Sequence, residues 1–348
     1  MFNESIREEI KAQGAAIEKL GTLPDDLLQF AYEEKLFKCF VPVELGGKML
    51  ELPEAVRVFQ EASALDGSFG WLVAIGSGGN AFVPNFKEET CRELFSPKEA
   101  VIAGSAHSTA IAVKENGGYR VTGEWRYCSG APYASMFTAN SKLEGTEEIV
   151  TCIFTPDQVD VIQDWDAFGL KGTGSHTIRV ENAFVPIVRT FDLMKNANEF
   201  GDIVHTFPFV QFGQSSFTAV SLGIGQGFFE EARRILEANK EQWSKDGNDK
   251  YEAITSILDE ELVTYDQIEG VFYSTLQEIW QTHKDGEMLE EADLNNFSKV
   301  CKEAADTTIG CANRLFRHFG MEAVMESSDL NRIWRNLHTA SQHTFLTP

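Results

Sequence analysis

The stretch that decides the fold is GGYRVTGEWRYCSGAPYA, which occupies residues 117–134 of a 348-residue chain. Its paired glycines predict a hairpin turn, and the alternation of polar and apolar residues after them is typical of a β-strand. The alternation ends after Tyr127, where Cys-Ser-Gly-Ala-Pro follows. Small residues in that position either form a β-bulge or leave room beside the strand for a flat ligand. Both interpretations remain open at this point.

The hydrophobic periodicity changes twice along the chain. Residues 98–195 consist of short alternating runs separated by turn residues, which predicts a central antiparallel β-barrel or sandwich. Residues 1–97 and 196–348 have the three-to-four-residue spacing of amphipathic helices. The sequence therefore predicts an α+β protein with three domains: an N-terminal helical domain, this central β-domain and a C-terminal four-helix bundle.

Local signals place individual helices. Pro24 and Asp25 mark the start of one helix, and an apolar helix is expected from Ser68 to Phe82. A long apolar stripe over residues 294–319 predicts a helix with Gly320 as its C-cap. A stripe that wide also predicts burial against another subunit, so a homo-oligomer is expected.

The composition excludes several classes of function. A net charge of −23 and an isoelectric point near 4.7 argue against binding to nucleic acid or to anionic membranes, because both need a basic surface. The N-terminus is polar, and the most apolar run, residues 217–229, is too short to span a bilayer. Six cysteines without a CxxC pair predict buried reduced thiols in a cytoplasmic protein. Seven histidines outside any ligand spacing predict no metal site.

The order of the three domains, together with four sequence motifs, resembles the acyl-CoA dehydrogenase superfamily. The motifs are VPVELGG at 41–47, the stretch at 117–134, GLKGTGSHTIRVENAFVP at 169–186 and FGMEAVMESSDLNRIWRNLHTASQH at 319–343. The resemblance extends over nearly the whole chain. It implies a flavin cofactor, either FAD or FMN, and a homotetramer.

Two chemistries occur within that superfamily. Its dehydrogenases remove a proton from an acyl-CoA with a glutamate near the chain end or at the start of the first long C-terminal helix. The corresponding segments here, HTASQHTFLTP at 338–348 and residues 207–227, contain no carboxylate. An acyl-CoA dehydrogenase is therefore the alternative function, with Glu230 or Glu231 as its base. A non-catalytic flavin-binding or scaffold homologue is the third.

The motifs are closest to those of the two-component flavin monooxygenases, such as the oxygenase components that act on p-hydroxyphenylacetate or dibenzothiophene. Those enzymes carry W-x-[FY]-x-S-G, matched at 125–130, and G-T-G-S, matched at 172–175. Their last helix carries W-R-D before a histidine, whereas this chain has Asn336 in place of the aspartate. The resemblance implies a monooxygenase that receives reduced flavin from a separate reductase and hydroxylates a small aromatic substrate.

This resemblance assigns expected roles to residues of the β-domain. Ser129 is expected at the reactive edge of the flavin ring as a catalytic residue, unless it only completes a bulge. Trp125 is expected to pack beside the ring, with a buried core tryptophan as the alternative. Thr173, Ser175 and Lys171 are expected to bind the flavin phosphate through the glycine-rich turn, unless the turn is only a loop before the next strand.

Further candidates lie on the last helix and before the first hairpin. Arg335 and His338 are expected to bind the cofactor, with a solvated helix face as the alternative for His338. His343 is expected to be catalytic, either through a hydrogen bond to the activated oxygen or by accepting a phenolic proton. His107 is the third catalytic candidate and would hold the substrate, unless it is a structural loop histidine.

Overall fold

The computed structural model describes residues 2–245 and 249–347. Its N-terminal region contains five helices, α1 (Glu4–Leu20), α2 (Asp25–Glu33), α3 (Leu52–Leu65), α4 (Gly67–Gly78) and α5 (Glu88–Phe95). The predicted helix start at Asp25 is confirmed. The helix expected from Ser68 to Phe82 begins one residue earlier and ends at Gly78, where a 3-10 segment, Gly79–Asn85, continues it to the next loop.

The central region is a seven-stranded sheet in the described residues. Its strands are β1 (Ile102–Glu115), β2 (Gly118–Cys128), β3 (Met136–Leu143), β4 (Ile149–Phe154), β5 (Asp160–Ile162), β6 (His176–Pro186) and β7 (Thr190–Phe191), in the spatial order β5-β6-β2-β1-β3-β4-β7. The predicted β1–β2 hairpin is confirmed, with Glu115 opposite Gly118. The sheet differs from the expected antiparallel barrel in two details: β1 and β3 are parallel, and the end strands β5 and β7 do not pair.

The end of β2 contains a β-bulge, which is one of the two alternatives that the sequence allowed. Trp125 pairs with Ile178 on β6, but the next pair is Cys128 with His176, so β2 has one residue more between them than its partner. Tyr127 absorbs the extra residue with a φ of 69°, in the left-handed region. The bulge turns the chain toward the helical domains, and Ser129 follows it directly.

The C-terminal region consists of helices α6 (Phe209–Trp243), α7 (Lys250–Lys284), α8 (Glu291–Phe316), α9 (Met321–Val324) and α10 (Asp329–Ala340). Gly320 is not the C-cap that the sequence predicts, because α8 ends at Phe316 and Gly320 instead precedes α9. No helix in the described residues is long and apolar enough to cross a membrane. All six cysteines are buried free thiols, as predicted.

The helical domains join where α6 packs on α3. Gly223 of α6 lies so close to α3 that a Cβ there would overlap the backbone oxygen of Gln60. The start of α6 packs beside α4, and the cavity described below lies between those helices and the sheet.

Gly223→Ala is expected to lower the free energy of unfolding by about 1–3 kcal/mol, because the added methyl group forces α3 and α6 apart. Thermal and urea unfolding of the purified variant measure the change. Gly270→Ala is the matched control, since Gly270 lies in α7 with open space at its Cβ. That control is expected to raise stability by about 1 kcal/mol through helix propensity. Equal stability of the two variants would refute the close-packing argument.

Candidate active site

An apolar cavity of about 220 Å³ lies between α4, β1, the start of α6 and the C-terminal segment. Phenylalanine side chains and small residues form most of its wall, and none of its lining residues is ionisable. The lining residues are Ala74, Ile75, Gly78, Gly79, Phe82, Ile102, Ala103, Gly104, Ser105, Ala106, Thr138, Asn140, Thr151, Leu193, Phe209, Phe212, Gly213, Ser216, Phe217 and Phe345. A flat, largely apolar molecule with one or two polar groups suits this wall.

His343 lies directly behind the cavity wall. Its ring stacks on the Phe217 ring with a centroid distance of 3.7 Å, and Trp71 packs against both. Burial lowers the pKa of His343 from 6.5 to about 4, so the ring is neutral near pH 7. Nδ1 accepts a hydrogen bond from the backbone N–H of Phe345 at 3.3 Å. The single proton of the neutral ring therefore lies on Nε2, which is a donor.

Three hydroxyl groups form a chain of hydrogen bonds that leads from Trp71 into the β-domain. The indole Nε1 of Trp71 donates to Ser129 Oγ at 3.0 Å. Ser129 Oγ lies 2.7 Å from Ser175 Oγ, and Ser175 Oγ lies 2.6 Å from Thr173 Oγ1. We call Ser129, Ser175 and Thr173 the hydroxyl row. All three residues are less than 8% exposed, so the row is shielded from bulk water.

The far end of the hydroxyl row is anchored to α10. Thr173 Oγ1 donates to the backbone oxygen of Leu170 at 2.8 Å, and Trp165 Nε1 donates to the same oxygen at 3.0 Å. The backbone N–H of Leu170 donates to Asn336 Oδ1 at 2.7 Å. An amide oxygen accepts this bond as a carboxylate would, so the departure from aspartate at position 336 preserves the contact.

Trp125 does not line the cavity. It is fully buried in the core of the sheet, where Nε1 donates to the Asn140 oxygen at 2.8 Å and the ring packs on Phe154. This placement matches the core-tryptophan alternative, and its contact with a flavin stays a prediction. The tryptophan that contacts Ser129 is Trp71, which sequence reasoning treated only as part of an apolar helix.

The cationic candidates already have partners within the chain. Arg335 is buried, and its guanidinium donates to Asn331, to the Phe168 oxygen and to Glu18 at 2.9 Å. Lys171 lies 3.9 Å from the same Glu18. These contacts join α10 and the glycine-rich turn to α1, and a role at a flavin phosphate stays a prediction for both residues.

The two remaining histidine candidates differ in their surroundings. His338 Nε2 lies 2.9 Å from Asn313 Oδ1, and its ring packs on Trp334 with a centroid distance of 4.2 Å. His107 is exposed on β1, in the irregular part between Ser105 and Ala110 where pairing with β3 is interrupted. It follows Ala106 of the cavity wall in the chain but is not among the residues that line the cavity.

The glutamates considered as a dehydrogenase base lie elsewhere. Glu230 pairs with Lys11 of α1 at 2.9 Å, and Glu231 pairs with Arg234 at 2.6 Å. Both line a separate charged pocket between α1, α6 and α10. In the part of the chain that the structure describes, no three His, Cys, Asp or Glu side chains converge as metal ligands would.

Two family models match the chain. The one described as the N-terminal domain of acyl-CoA dehydrogenase matches residues 1–99, and the one described as its C-terminal domain matches residues 215–348. Together these ranges account for 233 of 348 residues, as 99 plus 134.

The chain is also similar to curated and solved monooxygenases. A pigment production hydroxylase from a Rhodococcus species is 26% identical over 92% of this chain and 86% of its own. The oxygenase subunit HsaA of a flavin-dependent monooxygenase from Rhodococcus jostii is 22% identical over 99% of this chain and 94% of its own. The structure of XiaF from Streptomyces, in complex with FADH2 and glycerol, matches at a TM-score of 0.87 and 20% identity, over 99% of this chain and 90% of that one.

Proposed function

Because the chain belongs to the acyl-CoA dehydrogenase superfamily, we propose that it is the oxygenase component of a two-component flavin-dependent monooxygenase. It hydroxylates a small aromatic substrate with reduced flavin and oxygen. The observation that carries this proposal is the cavity of about 220 Å³, which has aromatic walls and no ionisable lining residue. A dehydrogenase needs a carboxylate at the substrate, and Glu230 and Glu231 line a different pocket.

The residues present fit the ring of a flavin. The hydroxyl row offers polar atoms at a buried position suited to the ring edge, and Trp71 connects the row to Phe217 of the apolar cavity wall. We assign Ser129 to the ring edge and Lys171, the one half-buried residue of an otherwise buried glycine-rich turn, to the phosphate end. Since the ribityl chain separates ring from phosphate, Thr173 and Ser175 belong to the ring end with Ser129. The chemistry that reduced flavin supplies when bound is the two-electron activation of oxygen.

The chain's own side chains orient the substrate and exclude water. Phe82, Phe209 and Phe212 hold an aromatic ring by stacking and edge contacts, which cost little conformational entropy. His343 stacks on Phe217 of the wall, is neutral and carries its proton on Nε2, and we assign that donor to the oxygen that is transferred. Of the two roles expected for His343, we therefore propose the hydrogen bond to the activated oxygen and not the acceptance of a phenolic proton. We keep His107, which follows the lining residue Ala106 in the chain, as the residue that contacts a polar substituent of the substrate.

The proposal includes partners and an assembly. The cofactor is FAD or FMN, which a separate reductase delivers in the reduced state, as the name of the similar oxygenase subunit implies for that protein. A homotetramer is part of the proposal, and the exposed Val263 and Val271 of α7 are apolar side chains suited to contact another subunit. Free buried thiols at all six cysteines support a cytoplasmic location.

The test is an anaerobic binding and oxygen-consumption experiment on the purified protein. Reduced FMN and reduced FAD are titrated separately, and oxygen is then added with a panel of phenols and indoles. The expected result is binding of reduced flavin, followed by a hydroxylated product detected by mass spectrometry. Tight co-purification of FAD that an acyl-CoA bleaches would instead establish the dehydrogenase. Absence of binding in either redox state would establish a non-catalytic homologue.

A further inference from the structure

The hydroxyl row has a fixed direction, which follows from counting protons. A backbone carbonyl has no proton to give, so Thr173 Oγ1 donates its only proton to the Leu170 oxygen at 2.8 Å. In the 2.6 Å contact between Thr173 and Ser175, the proton must then come from Ser175. In the 2.7 Å contact between Ser175 and Ser129, it must come from Ser129 for the same reason.

Ser129 therefore has no proton left for a ligand. Its Oγ already accepts a hydrogen bond from Trp71 Nε1, which is a donor only. One lone pair of Ser129 remains, and only a donor can bind to it. The direction of these hydrogen bonds is set at Thr173, because the backbone of Leu170 is itself held in place. Its oxygen also accepts from Trp165 Nε1, and its N–H donates to Asn336.

The two redox states of a flavin differ at the atom that would meet Ser129. N5 of an oxidised flavin has a lone pair and no hydrogen, whereas N5 of a two-electron-reduced flavin carries an N–H. Two lone pairs that face each other repel, while an N–H facing a lone pair forms a hydrogen bond. A site that can only accept at N5 thus discriminates between the two states.

We propose that Thr173 and Ser175 are positioning residues that fix Ser129 as a hydrogen-bond acceptor, so that the site binds reduced flavin in preference to oxidised flavin. The inference rests on the proposed function, in which Ser129 faces the ring edge. It explains how an oxygenase that exchanges its flavin with a separate reductase captures the reduced form and releases the oxidised one.

The test measures the dissociation constants of oxidised and of anaerobically reduced FMN, with FAD measured in parallel, and takes their ratio. Thr173→Val removes the link to the Leu170 oxygen, so the row loses its fixed direction and Ser129 is free to donate to oxidised N5. The ratio of oxidised to reduced dissociation constant is expected to fall about tenfold. Thr173→Ser restores the hydroxyl and is expected to keep the wild-type ratio.

The matched control is Thr308→Val on α8. Thr308 is also fully buried and also donates Oγ1 to a backbone oxygen, that of Ala304 at 2.7 Å, but it lies outside the site. This control is expected to keep the wild-type ratio. Ser175→Ala interrupts the row at its middle and is expected to lower the ratio as Thr173→Val does, which keeps the proposal testable if Thr173→Val fails to fold.

An altered ligand tests the same bond without altering the protein. A 5-deazaflavin has carbon in place of N5, and its reduced form has no N–H there. The wild-type preference for the reduced state is expected to shrink about tenfold with this analogue. An unchanged preference, or equal weakening of both redox states in Thr173→Val and Ser175→Ala, would overturn the inference. Failure of the wild-type protein to bind any flavin would overturn the proposed function instead.

Discussion

His343→Phe is expected to lower the rate of substrate hydroxylation by about 100- to 1,000-fold while leaving the fold intact. Phenylalanine preserves the stacking on Phe217 and the packing against Trp71, so the cavity wall keeps its shape. The substitution removes the Nε2 donor. In the wild-type ring, the hydrogen bond from the Phe345 N–H to Nδ1 keeps the single proton on Nε2. Reduced flavin is still expected to consume oxygen, and hydrogen peroxide is expected to replace the hydroxylated product.

The pH dependence of hydroxylation tests the same assignment. Because burial lowers the pKa of His343 to about 4, the neutral ring is the dominant form above that pH and is lost as the pH falls through it. In a His107→Gln background, which removes the other histidine assigned to the substrate, kcat/KM for hydroxylation is therefore expected to show no titration of His343 between about pH 7 and about pH 5. A fall centred near pH 6.5 would contradict the buried, neutral assignment.

His338→Phe is the control for His343→Phe. His338 also lies on an aromatic ring, but that ring is Trp334 and its polar contact is Asn313, whereas His343 stacks on Phe217 of the cavity wall. Its replacement is expected to change hydroxylation less than threefold, an order-of-magnitude bound for a group outside the site. Wild-type product yield in His343→Phe, or equal losses in the two variants, would refute the catalytic assignment.

The sequence predicted the order of domains because the hydrophobic period is local information. The helix at Asp25 and the β1–β2 hairpin were found where their start and turn residues predict them. The parallel pairing of β1 with β3 was missed, because no turn joins those strands directly and pairing across a sheet is not a local property. Gly320 was misassigned as a helix cap, since the apolar stripe continues beyond the residue at which α8 ends.

The candidate site was predicted only in part. Ser129 was recognised from the small residues after an alternating strand, and the bulge that places it is present. Trp71 was missed, because it lies 58 positions earlier in the chain and meets Ser129 only through the tertiary fold. Thr173 and Ser175 were predicted at a flavin phosphate from a glycine-rich turn, and that role stays a prediction. The turn motif did not show that Ser175 Oγ contacts both Ser129 Oγ at 2.7 Å and Thr173 Oγ1 at 2.6 Å. A motif identifies residues that carry chemistry, and only the packing shows which atom each one faces.

A substitution that fills the cavity tests where the substrate binds, independently of the cofactor. Gly78 ends α4, lines the cavity and has open space where a Cβ would be. Its helical φ of −58° accepts any side chain, so a larger residue there adds no backbone strain. Gly78→Phe is therefore expected to fill the cavity without displacing a neighbour and to lower kcat/KM for hydroxylation at least about 100-fold.

The rate at which bound reduced flavin is oxidised without substrate is expected to remain near that of the wild type, because the hydroxyl row and His343 are unchanged. Gly78→Ala, which adds one methyl group to open space, is expected to change kcat/KM less than about tenfold. Gly79→Ala is the opposite control, since a Cβ there would overlap the Ile102 side chain and should lower stability instead. If Gly78→Phe hydroxylated aromatic compounds as the wild type does, the substrate would have to bind elsewhere, and the assignment of this cavity would be wrong.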